Sequence, residues 1–453
     1  MTDRAKAIAV LTANTVAFTV CFAVWMMYGV LITYLMDRNL YAFSKTEMGW
    51  LIGIPVLSGS IFRLPAGMLS DRYGGRPIFA GVMLVAALSV YSVSFADGFW
   101  EFLLGGLGFG LAGTSFAVGI AYTSVWFPQH RQGTVLGIFG MGNAGAAITA
   151  MVAPSLLGIF TRGGADAERW RLLPRMYALA LVVTALLFWL STFPRRPEEP
   201  VLRTLSQRLE PLRSVRVWRF GLYYFLVFGG FVALSQWLIP YYVNVYALTV
   251  VSAGLLSSIF SLPSGVIRAL GGWLSDRLGA RTVMYWVLAG CTAASLLLIV
   301  PRMDIQSPGE GVLATRAGTV AAVTEDAILV DGTRYPLRRM DPGNLKREGT
   351  LIWPTSASWQ EAVVRPGEQV ARRQLLARGV THIYFQANIW IFTGLVFVIG
   401  ILMGIGKAAV YKHIPEYFPN DVGTVGGMVG VIGGLGGFVG PILFGYMLDG
   451  TGI

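Results

Sequence analysis

The chain has 453 residues, of which 55% are hydrophobic and 13% are charged, and its mean hydropathy is +0.61. This is too apolar for one water-soluble core and predicts a lipid bilayer as solvent. The formal charge of +11 does not indicate nucleic acid, because the basic residues lie in short segments between apolar runs. Cys21 and Cys291 both lie inside apolar runs, which argues against a disulfide framework or a metal cluster.

Apolar runs long enough to cross a bilayer as helices follow one another along the chain. They lie near 7–36, 47–69, 77–96, 100–127, 132–159 and 174–193, and then near 220–245, 250–274, 282–301, 388–415 and 422–448. The first run continues to about Met36 without a small-residue cleavage site, so it is interpreted as a membrane helix. The pattern predicts an all-α polytopic membrane protein.

The runs predict two pseudo-symmetric helical bundles joined by a linker. We expect the first bundle over 1–193, a cytoplasmic linker over 194–219, and a second bundle over 220–301 and 386–453. Two equal bundles would have twelve helices, of which eleven are visible. The missing helix predicts that the chain is a fragment, or is fused to or paired with a second transporter half.

A polar stretch over 302–385 interrupts the second bundle. Its short β-branched runs between turn signals predict a small β-rich insert. The segment VRPGEQVARRQLLARG resembles the last hairpin of a lipoyl-type barrel-sandwich fold, but no lysine stands in the carrier position. We therefore expect a structural or docking role, with the partner left open.

The positive-inside rule orients the chain, because basic residues fall in alternate segments between the apolar runs. These residues are Arg4, Lys6, Arg72, Arg76, Arg131, the arginines of the linker, Arg277 and Arg281. The N-terminus is therefore predicted to be cytoplasmic, in a bacterial-type inner membrane, with the insert outside. The segment 160–173 is an exception, since its arginines lie on the predicted outer side.

An internal repeat supports two parallel halves. RLPAGMLSDRYGGRPI begins at Arg63 and RALGGWLSDRLGARTV at Arg268, an offset of 205. GMLSDRYGGR matches the G-x-L-x-D-R-x-G-x-R signature of the major facilitator superfamily, which the chain resembles. Loop Asp and Arg side chains can pair with each other and with helix ends, which predicts a conformational latch. The latch residues are Asp71, Arg72, Arg76, Asp276, Arg277 and Arg281.

Arg63 and Arg268 are the strongest candidates for function. Each lies seven residues before the Ser of its motif, about 10 Å inside the membrane at a helical rise of roughly 1.5 Å per residue. A structural ion pair is the alternative, but no Asp or Glu lies in the interior of any predicted span. Two forked guanidiniums suit a small planar oxyanion, so carboxylates, nitrate and nitrite all fit.

Two glycine-rich segments extend this reading. They occupy 137–154 and 423–441, and their glycines at three- and four-residue spacing permit close helix packing, gating, or both. GMGNAGAA and GVIGGLGGF resemble the two nitrate signatures of the nitrate/nitrite porter family, NarK type. The signature glycines are Gly140, Gly142, Gly145, Gly430, Gly433, Gly434, Gly436 and Gly437.

The resemblance implies nitrate/nitrite antiport or nitrate/proton symport, without a cofactor. It also implies an anion site around the two arginines, lined by Asn143, Tyr224, Phe228, Phe116 and, in a weaker match, Phe22. The partners it implies are nitrate, nitrite and protons.

Lys407 lies inside the tenth apolar run, and two roles are consistent with this position. It either pairs with backbone carbonyls or takes part in substrate binding or proton coupling. For the whole chain, a transporter of formate or oxalate and a transport-deficient sensor or scaffold that uses the insert remain alternatives. An enzyme is not expected, because no nucleophile–base pair, metal-ligand cluster or phosphate loop appears in the sequence.

Overall fold

The computed structural model describes residues 2–195, 209–298, 303–339, 355–385, 388–418 and 422–451. The chain divides into two compact units. Met1–Leu296 and Leu395–Gly452 form a helical unit, and Leu297–Gly394 forms a smaller unit that contains the strands.

Within the described residues, ten helices are long and apolar enough to cross a membrane, and a bent helix pair makes an eleventh span. Spans 1 to 11 are, in order, Asp3–Asp37, Lys45–Ser70, Gly75–Val93, Phe99–Ser124, Val135–Phe160, Ala167–Ser191, Val215–Tyr246, Val250–Val266 with Arg268–Leu278, Ala280–Leu298, Ile389–Ile414 and Val425–Met447. The expected all-α polytopic membrane architecture is confirmed.

Span 6 begins earlier than predicted. Residues Ala167–Arg171 form a 3-10 turn that continues directly into the helix Leu172–Ser191. Two of the three arginines that break the positive-inside pattern here are ion-paired, Arg169 with Asp166 at 2.6 Å and Arg171 with Glu168 at 3.0 Å. Neutralisation by these neighbours explains how the segment tolerates its basic residues.

Six spans are built from two helices rather than one. The pairs are Asp3–Trp25 with Met27–Asp37, Lys45–Ile61 with Arg63–Tyr73, Phe99–Phe109 with Ser115–Ser124, Gln129–Gly140 with Gly145–Phe160, Val215–Tyr224 with Gly230–Tyr246, and Val250–Val266 with Arg268–Leu278. Three of the junctions are 3-10 or π turns: Gly110–Thr114, Met141–Ala144 and Phe225–Gly229. The helices Gly75–Val93, Leu172–Ser191, Ala280–Leu298, Ile389–Tyr417 and Val422–Thr451 are continuous.

The sequence repeat is also a structural repeat. The helices Arg63–Tyr73 and Arg268–Leu278 each begin at the arginine, and each has 11 residues. They end at Gly74 and Gly279, whose φ angles of 90° and 82° are positive and favour glycine. The two halves therefore present their arginines in the same local setting, directly after a break in the helix.

Glycines let the two halves approach backbone to backbone. A β-carbon added to Gly49 of span 2 would lie 2.5 Å from the carbonyl oxygen of Pro441 in span 11. Gly254 of span 8 packs in the same way against the carbonyl of Ala150 in span 5. At these two positions the backbones leave no room for a side chain.

The insert is an all-β unit of seven described strands. They are β1 Met303–Leu313, β2 Gly318–Val323, β3 Ala327–Val330, β4 Thr333–Pro336, β5 Thr355–Ala362, β6 Gln369–Val370 and β7 Leu375–Phe385. They form antiparallel sheets in the orders β1-β7-β5 and β4-β3-β2-β6. Val320, Ile328, Tyr335 and Leu376 belong to its core. The expected β-rich insert is confirmed.

Candidate anion-binding site

Arg63 is held by carbonyl oxygens from two other spans. Its side chain is buried, Nη1 donates to the carbonyl of Gly430 at 2.7 Å, and Nε donates to the carbonyl of Gly113 at 3.3 Å. Gly113 belongs to the 3-10 turn of span 4. Backbone contacts therefore fix the guanidinium without neutralising its charge.

Arg268 is also buried but is less constrained. It packs against Gly140 of span 5, where an added β-carbon would lie 3.1 Å from Nη1. Among the described residues, Nη1 has no hydrogen-bond partner. A buried guanidinium nitrogen without a partner is costly, so this donor is suited to a ligand.

The ring of Phe116 connects the two arginines. Its centroid lies 5.7 Å from the Cζ of Arg63 and 5.4 Å from the Cζ of Arg268. Phe116 follows the 3-10 turn of span 4, which carries the ring between the halves. A single aromatic ring thus contacts both cations, as cation–π geometry allows.

Further aromatic rings lie close to the two arginines. Phe228 lies 5.2 Å from the Cζ of Arg63 and stacks on Tyr224 with a centroid separation of 4.9 Å. Tyr224 also meets Tyr411 edge to face at 5.1 Å, and Tyr411 lies 5.6 Å from the Cζ of Arg268. The π turn Phe225–Gly229 separates Tyr224 from the next helix and positions both rings of span 7.

Two polar side chains of the predicted site also lack partners. Asn143 is fully buried in the 3-10 turn of span 5, and neither of its amide atoms has a hydrogen-bond partner in the described part of the chain. The same holds for the hydroxyl of Tyr224. Buried polar groups normally find partners, so these two are further candidate ligand contacts.

Sequence reasoning missed two of the rings. Trp25 lies 5.6 Å from the Cζ of Arg63 and is held by its Nε1–H donating to the carbonyl of Pro55. Phe22 instead contacts Phe18 and Trp25, at 5.6 and 5.3 Å. Tyr411 is the other missed ring. The available signal was helical spacing, because Trp25 lies three residues after Phe22 and Tyr411 four after Lys407.

The signature glycines pack directly on site residues. Gly140 contacts Arg268, and Gly430, at the equivalent place in the second signature, contacts Arg63 and Tyr411. Gly433 meets Tyr224, and Gly434 meets Ser60 and Arg63. The remaining signature glycines contact neighbouring spans: Gly142 and Gly145 face span 1, and Gly436 and Gly437 face span 7.

Lys407 is fully buried, and its Nζ lies 3.5 Å from the ring centroid of Phe231. Nζ has no hydrogen-bond partner among the described residues, so pairing with a backbone carbonyl is not observed. No Asp or Glu is among the buried side chains that the structure describes. The described site therefore collects positive charge without a carboxylate.

The motif residues contact an ammonium group, a helix end and several aromatic rings. We predicted that Asp and Arg of the motif loops pair with each other and with helix ends; among the described side chains, Asp276 pairs with Lys412 of span 10, and Arg76 donates to the carbonyl of Trp189 near the end of the helix Leu172–Ser191. The arginines lie on rings: Arg72 on Tyr73, Arg76 on Trp189, Arg277 on Trp273 and Arg281 on Tyr285. The side chain of Asp71 lies outside the described residues. Arg277 and Arg281 reach rings one helical turn away, Arg72 reaches the next residue and Arg76 reaches a ring of span 6, because a guanidinium is attracted to an exposed aromatic face.

The profile of the Major Facilitator Superfamily matches residues 15–323. A Thermus thermophilus protein named "Probable nitrate/nitrite antiporter NarK1" is 39% identical, over 100% of this chain and 87% of that protein. This chain belongs to the NarK-type family of nitrate/nitrite transporters. Within that family, the "Nitrite extrusion protein" of Bacillus subtilis (strain 168) is 30% identical over 68% of this chain and 75% of its own length.

A solved structure supports the same fold for this NarK-type chain. It is a bacterial homolog of the human lysosomal transporter Spinster in an inward-facing, unoccupied conformation, with a TM-score of 0.64. The match covers 98% of this chain and 83% of that one at 16% identity. The likeness shows a major-facilitator fold, and the chain is a multi-pass membrane protein.

Proposed function

We propose that the chain exchanges nitrate and nitrite across the membrane by alternating access, with the anion held between Arg63 and Arg268. The observation that carries the proposal is the pair of buried guanidiniums on either side of Phe116, with no acid among the described buried side chains. Charges buried in this way need a counter-ion, and a small anion can supply it.

The donors suit a planar oxyanion. The unpartnered Nη1 of Arg268, the hydroxyl of Tyr224 and the amide of Asn143 can each donate to an anion oxygen. Arg63 supplies charge from a position that two carbonyls already fix. Preorganised donors lower the entropic cost of binding, which suits a ligand with few atoms.

The charge of the site favours exchange over leak. Without an anion, two guanidiniums at the centre of the protein resist a closed, water-free state, because unpaired charges are costly there. A bound anion lowers this cost and permits the halves to rock. The return step then needs another anion, which gives antiport.

We assign the moving parts as the two bundles, 1–193 and 220–301 with 386–453. The arginine-rich linker 194–219 lies on the cytoplasmic side together with the N-terminus, in a bacterial inner membrane, and the insert 302–385 lies outside. The positive-inside pattern supports this orientation. The chain carries its anion unchanged, so it acts as a carrier and not as an enzyme.

Nitrate/proton symport is the second candidate, and Lys407 is the observation that favours it. This lysine lies on Phe231 with no described hydrogen-bond partner. A lysine that loses its proton in one conformation could carry the coupling ion, in place of the missing acids.

The test is nitrate uptake by purified protein in liposomes, with and without internal nitrite and with and without a proton gradient. Arg63→Lys is the test variant. Arg175→Lys is the matched control, because Arg175 bonds to Ser94 and contacts Phe95, away from the site. We expect uptake that requires internal nitrite, is lost in the first variant and is kept in the second.

Three other results would contradict nitrate/nitrite exchange. Gradient-driven uptake into empty liposomes would establish symport. Exchange of formate or oxalate in place of nitrate would overturn the substrate assignment. Folded protein that transports none of these anions would favour a sensor or scaffold role.

A further inference from the structure

A second basic cluster lies in the C-terminal half, away from Phe116. A cavity of about 70 Å³ opens where span 7 begins, span 9 begins and span 10 ends, and Arg219, Arg281 and His413 line it. Space of this size holds several water molecules or one small oxyanion. The positive-inside pattern places this end of the spans on the cytoplasmic side.

His413 is the buried polar group of this cavity. Its side chain is 3% exposed, and neither ring nitrogen has a hydrogen-bond partner among the described residues. The ring stacks on Phe220 with a centroid separation of 5.0 Å. The nearest described carboxylate, on Glu416, lies 3.9 Å from Nδ1, which is too far for a hydrogen bond.

The two arginines hold their positions without a described acid. Arg219 lies 5.8 Å from the ring of Phe220, and Arg281 donates from Nε to the hydroxyl of Tyr285 at 3.0 Å. Both charges act on His413 electrostatically. The arrangement offers forked donors, a phenol and an imidazole to one ligand.

The equivalent residues of the first half differ from these in their hydrogen bonds. The repeat pairs Arg281 with Arg76 and His413 with Tyr122. Arg76 donates to the carbonyl of Trp189, and Tyr122 donates to the carbonyl of Phe193. In the first half a backbone carbonyl therefore satisfies the hydroxyl of Tyr122, whereas neither ring nitrogen of His413 has such a partner among the described residues.

We propose that Arg219, Arg281 and His413 form a second oxyanion site at the cytoplasmic end of the C-terminal half. The ligand is either the transported anion on its way to or from the centre, which rests on the proposed function, or the phosphate of an anionic lipid. Both present the same chemistry, two or more oxygens that share a negative charge.

The first arm measures binding of isotope-labelled nitrate to full-length protein in nanodiscs of phosphatidylcholine alone. The background is Arg63→Gln, which removes a guanidinium from the central site. We expect nitrate binding that weakens about tenfold or more when Arg219→Gln and Arg281→Gln are added, because each loses charged hydrogen bonds. Arg216→Gln is the matched control, since Arg216 contacts Tyr417 but does not line the cavity.

The second arm asks whether the ligand is a lipid. Native mass spectrometry compares retained phosphatidylglycerol in wild type, the Arg219→Gln/Arg281→Gln variant and the Arg216→Gln control. Retention lost only in the double variant assigns the site to lipid phosphate. This arm uses no nitrate, so it tests the second site even if the protein does not transport nitrate.

If the double variant loses either nitrate or lipid and the control is unchanged, the second site is supported, and the ligand that is lost is the one it binds. Unchanged nitrate binding and unchanged lipid retention in the double variant overturn it. Because Arg219 and Arg281 are exposed, their replacement leaves the packing of the core intact.

Discussion

At the residue scale, the two arginines have different surroundings. Arg63 is bound to the carbonyls of Gly430 and Gly113, while Nη1 of Arg268 has no described partner. We infer that the guanidinium of Arg63 keeps one position when the anion binds, and that the guanidinium of Arg268 moves to donate hydrogen bonds to the anion. The two positions should therefore respond differently to the same substitution.

We expect Arg268→Lys to weaken nitrate binding about tenfold or more, because a lysine loses the forked donors. Arg63→Lys should in addition lower the thermal stability, since the single nitrogen of lysine cannot take the positions of both Nη1 and Nε, which bond the carbonyls of Gly430 and Gly113. Nitrate affinity and melting temperature of both variants would be measured side by side. Equal stability losses in both would contradict this division of roles.

Lys407 offers a second prediction at this scale. If the chain is an antiporter, Lys407→Met should retain nitrate/nitrite exchange, because the anion lies between the arginines. If it is a symporter, the same variant should lose gradient-driven uptake but keep counterflow. Exchange and uptake measured on one preparation distinguish the two.

At the scale of elements, the broken helices build the site. Arg63 and Arg268 begin the second helices of their spans, Asn143 lies in a 3-10 turn, and Phe228 lies in a π turn. Interruptions in the hydrogen-bonded ladder re-aim side chains and free carbonyls such as that of Gly113. Three of these residues meet around Arg63: Phe228 lies 5.2 Å from its Cζ, and Arg63 and Arg268 both contact the ring of Phe116.

The signature glycines give a prediction with a matched control. Gly140→Ala places a β-carbon 3.1 Å from Nη1 of Arg268, and Gly433→Ala places one against Tyr224. We expect both to weaken nitrate transport, and Gly433→Ala to cost about 1–3 kcal/mol of stability as well. Gly137→Ala and Gly427→Ala meet nothing within 4 Å and should transport normally. Equal effects in all four would show that the glycines act through helix propensity instead.

At the scale of the whole molecule, a polar contact joins the halves at the end of the spans opposite the N-terminus. The carboxylate of Asp449 accepts hydrogen bonds from the backbone N–H and the hydroxyl of Thr46. Lys45 donates to the side-chain carbonyl of Asn244 at 3.0 Å nearby. The bonds of Thr46 link span 2 to Asp449, which follows span 11, and the bond of Lys45 links span 2 to span 7.

The contact should depend on pH. The hydrogen bonds from Thr46 lower the pKa of Asp449 below its usual value. Because the bound carboxylate is the ionised form, the contact is favoured above the ordinary pKa and is lost as pH falls through the lowered pKa. Acidification on this side should therefore separate the halves.

Spin labels at the exposed positions Asp37 and Tyr446 would report the separation. We expect longer distances to gain population as the pH falls from about 7 to about 3, the range in which carboxylates titrate. Asp449→Asn should show them already at neutral pH. If neither the pH nor the Asp449→Asn substitution changes the distance distribution, Asp449 has no role in separating the halves.

The insert can be tested by excision. Met303 and Phe385 are paired residues of neighbouring antiparallel strands, so a short glycine–serine linker can replace 303–385. We expect the shortened protein to transport nitrate normally, because the arginine site is formed by the helical unit alone. Loss of transport by folded, monodisperse protein would instead assign the insert a part in the cycle. Normal transport with loss of co-purifying proteins would indicate docking.

The sequence alone determined the membrane architecture, the two parallel halves, the β-rich insert and the two candidate arginines. These features depend on local patterns: apolar runs, alternating β-branched segments, and a motif repeated at a fixed offset. An arginine within an apolar run stands out in the sequence because membrane spans contain so few charged residues.

Only the tertiary structure decided which groups meet. The bond from Arg63 to Gly430, the position of Trp25 beside Arg63, and the pairing of Asp276 with Lys412 join residues far apart in the chain. The repeat also pairs Phe116 with Lys407, so one half offers a ring where the other offers an ammonium. Such contacts depend on where helices break and how closely glycines let them approach, and no local pattern records either.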